Sequence, residues 1–133
     1  MCHTADLVDA TSKQSVQFTA LIHRIHSGKD LEAPYKVGTT SWADVGYPGV
    51  RSNCSGCHVN NSQQLPLKAV LRDIQEPAGP ITARKPETNA CTSCHASASA
   101  IAHAQQNTAA VGESCAVCHG ASAEFSVDKV HAQ

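Results

Sequence analysis

Cys54-Ser55-Gly56-Cys57-His58, Cys91-Thr92-Ser93-Cys94-His95 and Cys115-Ala116-Val117-Cys118-His119 are three copies of one pattern. Each has two cysteines three positions apart and a histidine directly after the second. The spacing has a mechanical logic. Two thiols so placed reach the two vinyl groups on one edge of a haem, and the histidine that follows swings beneath the ring to meet the iron. Paired Cys-x-x-Cys is also a structural zinc signature, but zinc does not require a histidine after each second cysteine, and all three pairs have one. A redox Cys-x-x-Cys belongs beside alternating strands and helices, a pattern this chain lacks. The repeats therefore predict three haem c groups. Cys54, Cys57, Cys91, Cys94, Cys115 and Cys118 would form the thioethers, and His58, His95 and His119 would be the proximal iron ligands.

Haem iron has a second axial site, whose occupant sets potential and reactivity. The one methionine is Met1, so that site falls to histidine or stays open. Of eight histidines, His3, His23, His26, His103 and His131 lie outside the complete motifs. Cys2-His3 matches the tail of a fourth motif, with Met1 standing at the second spacer position. Four irons with two histidines each need eight. The partition would be His3, His58, His95 and His119 proximal, with His23, His26, His103 and His131 distal. The alternative at the N-terminus is a free or lipid-modified Cys2 and a surface His3. Because His23 and His26 leave the same side of a helix, they cannot grip one iron from opposite faces. Either they serve two different haems, or one is a ligand and the other a hydrogen-bond donor to a propionate.

Composition agrees with a cofactor-filled interior. Only 4% of the 133 residues are aromatic, and much of the 41% hydrophobic fraction is alanine and cysteine. A small domain so short of large apolar side chains needs crosslinks or a cofactor to stay folded. A net charge of −1 excludes the basic stripe that nucleic acid demands. No apolar run approaches the roughly 20 residues of a membrane-spanning helix. The N-terminus lacks the charged and apolar regions of an export signal, although c-type haem is attached outside the cytoplasm. The expectation is a chain whose signal has been removed, or a fragment of a longer one.

Local pattern predicts short helices joined by long loops, with little or no β-structure, as one domain over residues 1–133. Thr11-Ser12 would cap a helix reaching about His26, with Phe18, Leu21, Ile22 and Ile25 as its apolar stripe and Gly28 as its stop. Residues 27–53 are rich in glycine and proline and read as loop. Leu67, Val70, Leu71 and Ile74 have helical spacing, the alanine-rich stretch His95–Ala104 favours helix, and a short helix is expected over residues 124–131. Such a chain packs as a multihaem cytochrome c fold, with the cofactors filling the interior.

The run Phe18-Thr19-Ala20-Leu21-Ile22-His23-Arg24-Ile25-His26-Ser27-Gly28, then Tyr47-Pro48-Gly49 and Asn53-Cys54-Ser55-Gly56-Cys57-His58, resembles the outer-membrane decahaem cytochromes of the OmcA/MtrC family. The ending, Glu113-Ser114-Cys115-Ala116-Val117-Cys118-His119-Gly120 and then Val127-Asp128-Lys129-Val130-His131, is similar to that family's C-terminus. The resemblance covers the back of the final haem domain. It implies bis-histidine irons, a place on the periplasmic or extracellular face of the outer membrane, and extracellular electron transfer. It also implies redox partner proteins, such as other haem domains or a porin–cytochrome conduit, and metal oxides or flavins as acceptors. Full members carry more haems, β-rich domains between the haem domains and a lipoprotein signal, which this sequence lacks.

Two rival functions remain. A multihaem reductase acting on a small oxyanion needs an iron with a vacant position, whereas here every motif ends in histidine and enough further histidines exist to close each iron. A zinc-stabilised interaction module would be colourless. The sequence carries no phosphate loop and no recognisable nucleophile motif. The expectation is an electron carrier rather than an enzyme.

Overall fold

The computed structural model describes residues 2–67 and 72–132. The first ordered feature is a turn, not a helix. The Asp9 carboxylate accepts hydrogen bonds from the Thr11 and Ser12 N–H groups at 3.0 and 2.8 Å, and the chain doubles back so that Val8 bridges Ser15. Thr11-Ser12 is therefore held in this turn, and helix α1 begins later, over Phe18–Ser27. The Gln17 side chain caps it by accepting from the Thr19 and Ala20 N–H groups. At the far end the Gly28 N–H donates to the Ile25 carbonyl. A Cβ on Gly28 would strike the Trp42 and Val45 carbonyl oxygens, so the stop expected from sequence also serves as a close backbone crossing.

Beyond α1 the chain is mostly irregular, punctuated by very short ladders. Strands β1 (Lys36–Val37) and β2 (Thr40–Ser41) pair antiparallel, as do β3 (Ile74–Gln75) and β4 (Ala83–Arg84). Helices α2 (Pro86–Thr92) and α3 (Ala98–Gln106) follow, then the antiparallel pair β5 (Thr108–Ala109) and β6 (Gly112–Glu113), and finally α4 (Ala116–His119) and α5 (Val127–Val130). Two-residue strands are too short to show period-two alternation, so the sequence could not announce them. The helix expected over Leu67–Ile74 is not supported where the structure describes it. Leu67, Arg72 and Asp73 are irregular and Ile74 is in β3, while Val70 and Leu71 lie outside the described residues. Pro86 opens α2, where its missing N–H breaks no hydrogen bond.

The interior is polar. Among the described residues, the buried apolar ones are few: Val16, Ala20, Tyr35, Leu65, Ile74 and Ile101. At the centre, Arg24 Nη1 donates to Glu76 Oε2 at 2.6 Å, across 52 residues of sequence. The Glu76 carboxylate also accepts from the Ser15 N–H, and the Tyr35 hydroxyl donates to the Ser15 carbonyl at 2.8 Å. The face of α1 turned to this network is Ala20, Arg24 and Ser27. The apolar stripe is not buried by protein: Phe18 is 59% exposed, and Leu21, Ile22 and Ile25 are only half-buried.

Candidate haem-binding site

Three pairs of histidine rings stand close together, one stacked, one tilted and one edge-on. His58 of the first motif lies beside His23 of α1, with ring centroids 6.1 Å apart. His95 of the second motif meets His131, at the end of α5, at 5.9 Å. His119 of the third meets His103 of α3 at 6.1 Å. In every pair one partner follows a Cys-x-x-Cys and the other comes from outside the motifs. The spacing suits a metal between the rings. A metal–nitrogen bond of about 2 Å on each side, plus about 1.15 Å from each ligating nitrogen to its ring centre, puts the centroids about 6.3 Å apart.

Proton placement points the same way. The Nδ1 atoms of His119 and His131 lie 2.9 Å from the Phe125 and Val127 carbonyls, and that of His58 lies 3.1 Å from Ser62 Oγ. A carbonyl oxygen can only accept, so Nδ1 of His119 and His131 carries the proton, and the lone pair of the neutral ring is on Nε2. Fixing the tautomer through the other ring nitrogen is how metal-ligating histidines are oriented. His23 is kept below the ordinary imidazole pKa, first by burial and then by His58 and His26 nearby. It therefore stays neutral, the form that can ligate. Its buried Nδ1 has no partner.

His3 and His26 stand apart from these pairs. His26 packs edge-on against Tyr47, with centroids 5.3 Å apart, and its Nδ1 donates to the Ile22 carbonyl. His3 lies 6.4 Å from the Phe18 ring, and its Nδ1 donates to the Val16 carbonyl at 2.7 Å. Cys2 beside it is exposed.

All seven cysteines are free of disulfides. The Cys115 thiol is pushed up to about 12, by burial and then by the Glu113 and Glu87 carboxylates. Cys91 rises to about 11 from burial and the same two carboxylates, Glu87 first. Glu113 itself anchors α2 by accepting the Glu87 and Thr88 N–H groups at 2.9 and 2.5 Å. Cys54 is also raised, chiefly by burial, with smaller contributions that include Asp128 and Cys94. Cys54 and His131 border one cavity of about 330 Å³, and Cys94 Sγ lies 3.3 Å from Ser27 Oγ at the end of α1. Cys91 and Cys115, of the second and third motifs, thus share the Glu87 and Glu113 carboxylates as neighbours.

A flat apolar cofactor would fit the surface around these pairs. Exposed apolar side chains gather at the motifs: Val59 after His58, Val117 inside the third motif, Val130 before His131, and Phe125, whose carbonyl holds His119. Among the described residues, no three His, Cys, Asp or Glu side chains converge as a zinc site would require. Two histidines together with a Cys-x-x-Cys pair form a donor set that suits haem.

The family model of MtrC/MtrF-like outer membrane cytochromes, domains II/IV, matches residues 1–132. The chain belongs to this family. No curated protein matches it. Membership in the MtrC/MtrF-like cytochromes makes the chain part of an electron-transfer protein of the outer membrane and implies haem c as its cofactor. No helix among the described residues is long and apolar enough to cross a membrane.

The sequence singled out the motif residues and the remaining histidines but missed the groups that support them. Glu87 and Glu113 stand four and two positions before Cys91 and Cys115, a local signal that was there to read. Ser62, four residues after His58, was equally legible. The Arg24–Glu76 pair had no local signal.

Proposed function

We propose that the chain carries three haem c groups closed on both faces by histidine, and that it relays electrons rather than transforming a substrate. The observation that carries this reading is the pairing of each motif histidine with an outside histidine at about one bis-ligated metal's separation: His58 with His23, His95 with His131, and His119 with His103. Cys54 and Cys57, Cys91 and Cys94, and Cys115 and Cys118 would hold the cofactor edges. Bound haem c supplies one-electron ferric–ferrous chemistry.

The protein's own work is to fix, close and space these sites. Carbonyl acceptors orient His119 and His131, and Ser62 orients His58. The half-exposed stripe of α1 offers apolar surface beside His23. With both axial positions filled, small ligands are excluded from iron, which favours a relay over an oxyanion reductase. His26, facing away from His23's partner, would serve a different iron, either at a fourth site built on Cys2 and His3 or on a neighbouring haem domain. As a relay at the outer membrane, the chain would take electrons from other haem domains or a porin–cytochrome conduit. It would deliver them to metal oxides or flavins.

Intact-protein mass after expression in a host that matures c-type cytochromes tests the cofactor count: three haem additions are expected, or four if Cys2 also binds. The reduced protein should scarcely respond to carbon monoxide. An apo mass would sink the reading, and ready carbon monoxide binding by most of the haem would give the function to the reductase.

A further inference from the structure

Between α1 and α2 lies a buried cluster of charge that the histidine pairs do not use. Arg24, Glu76 and Arg84 are 8%, 1% and 4% exposed. The single carboxylate is committed to Arg24 at 2.6 Å and to the Ser15 N–H. Arg84 is left with a neutral partner, donating from Nη1 to Thr92 Oγ1 at 3.1 Å, while its buried Nε has none. Thr92 is the first spacer residue of Cys91-Thr92-Ser93-Cys94-His95, and its own hydroxyl donates to the Thr88 carbonyl. Gly79 leaves room for the guanidinium, since a Cβ there would meet both Arg84 Nη2 and Glu76 Cγ. Glu32 borders the adjoining cavity of about 320 Å³, but it is exposed, where water and salt screen it.

Arg24 and Arg84 share the one Glu76 carboxylate, so the buried trio keeps a net positive charge, which is destabilising unless it serves something. We propose that Arg84 is a potential-setting residue: it places the trio's net positive charge against the spacer of the middle motif, and so raises the reduction potential of the haem held by Cys91, Cys94 and His95. This rests on the haem reading above and deepens it. On reduction the iron gains one electron from its redox partner and its charge falls by one. A fixed cation nearby stabilises the reduced form, and more strongly in a poorly hydrated interior than at a surface. Burial and the neighbouring Arg24 hold Arg84 down at about 10, which still leaves it charged at neutral pH.

The test is potentiometric titration of the mature holoprotein, followed by optical and magnetic spectra, for wild type, Arg84→Gln, Arg84→Lys and Glu76→Gln. Arg84→Gln removes the charge but keeps an amide to meet Thr92. It should retain every haem in low-spin form and move one haem's potential downward, and the shift should persist at high salt. Arg84→Lys should restore the potential. Glu76→Gln removes the only buried negative charge of the trio and should move the same haem upward, which keeps the test open if Arg84→Gln fails to mature. Unchanged potentials in Arg84→Gln, equal movement of all haems, or no upward movement in Glu76→Gln would overturn the assignment. Absence of haem from the wild-type protein would be a failure of the underlying function instead, and the spectra tell the two apart.

Discussion

Replacing His23 with alanine removes one ring from one pair and leaves the other two untouched. The His23 and His58 centroids are 6.1 Å apart, and alanine offers no donor to span that gap. His26, three residues further along α1, points at Tyr47 and cannot substitute without unwinding the helix end that Gly28 fixes. His58 keeps its bond to Ser62, so the proximal side should survive. One iron of three therefore becomes five-coordinate. In the reduced protein the carbon monoxide difference spectrum should rise from near zero to about one third of the amplitude expected if all the haem bound it, on the logic that axial occupancy governs access. His26→Ala should leave those three irons closed, and any new signal from it must belong to an additional haem. Stopped-flow mixing with carbon monoxide, normalised to the pyridine haemochrome, reads both. The reasoning fails if His23→Ala stays fully low-spin and unreactive, or if His26→Ala opens the same iron.

Three further outcomes follow from the interior. Glu76→Ala strips Arg24 of its carboxylate and leaves two buried guanidiniums facing each other. Breaking a buried pair this way costs about 3–5 kcal/mol, which denaturant melts of the holoprotein should register, while the joint change Arg24→Met with Glu76→Leu should recover much of it. Tyr35→Phe loses the bond to the Ser15 carbonyl and about 1 kcal/mol at neutral pH. The Tyr35 phenol is pushed up to about 12, first by burial, from an ordinary 10.0. Its contribution is therefore complete below about pH 10 and fades as pH climbs towards 12, so wild type and variant should converge in alkaline melts; a constant gap would contradict the burial argument. Gly28→Ala drives a Cβ into the Trp42 and Val45 carbonyls and should destabilise by about 1–3 kcal/mol. Thermal melts of that variant would show no change if the crossing were loose.

What the sequence revealed depended on how local the cause was. The three motifs were legible because each Cys-x-x-Cys-His is complete within five consecutive residues. Helix α3 was legible because Ser97 caps an alanine-rich run, and the family likeness read from the first and last motifs agrees with the matching family model. The start of α1 was misplaced because Asp9, a half-buried turn residue held below the usual carboxylate range by the Ser12 and Gly38 N–H groups, claims Thr11 and Ser12 for itself. The partner of each motif histidine could be narrowed to a short set but not chosen, since His95 finds His131 across α3, β5, β6 and α4. The Arg24–Glu76–Arg84 cluster was invisible for the same reason. Its members come from three separate segments, and only folding makes them neighbours.

The scarcity of buried apolar side chains has a consequence for biogenesis. Enzymes that stitch haem onto a chain must reach both thiols of each motif, and a polypeptide able to collapse by itself would hide them first. Val16, Ala20, Tyr35, Leu65, Ile74 and Ile101 are too few to drive such a collapse. The nascent chain would stay open to its assembly machinery until the last cofactor is in place, and incompletely loaded copies would remain soft targets for periplasmic proteases. Weak self-sufficiency would thus act as inspection: a broken wire would be degraded before it could be installed.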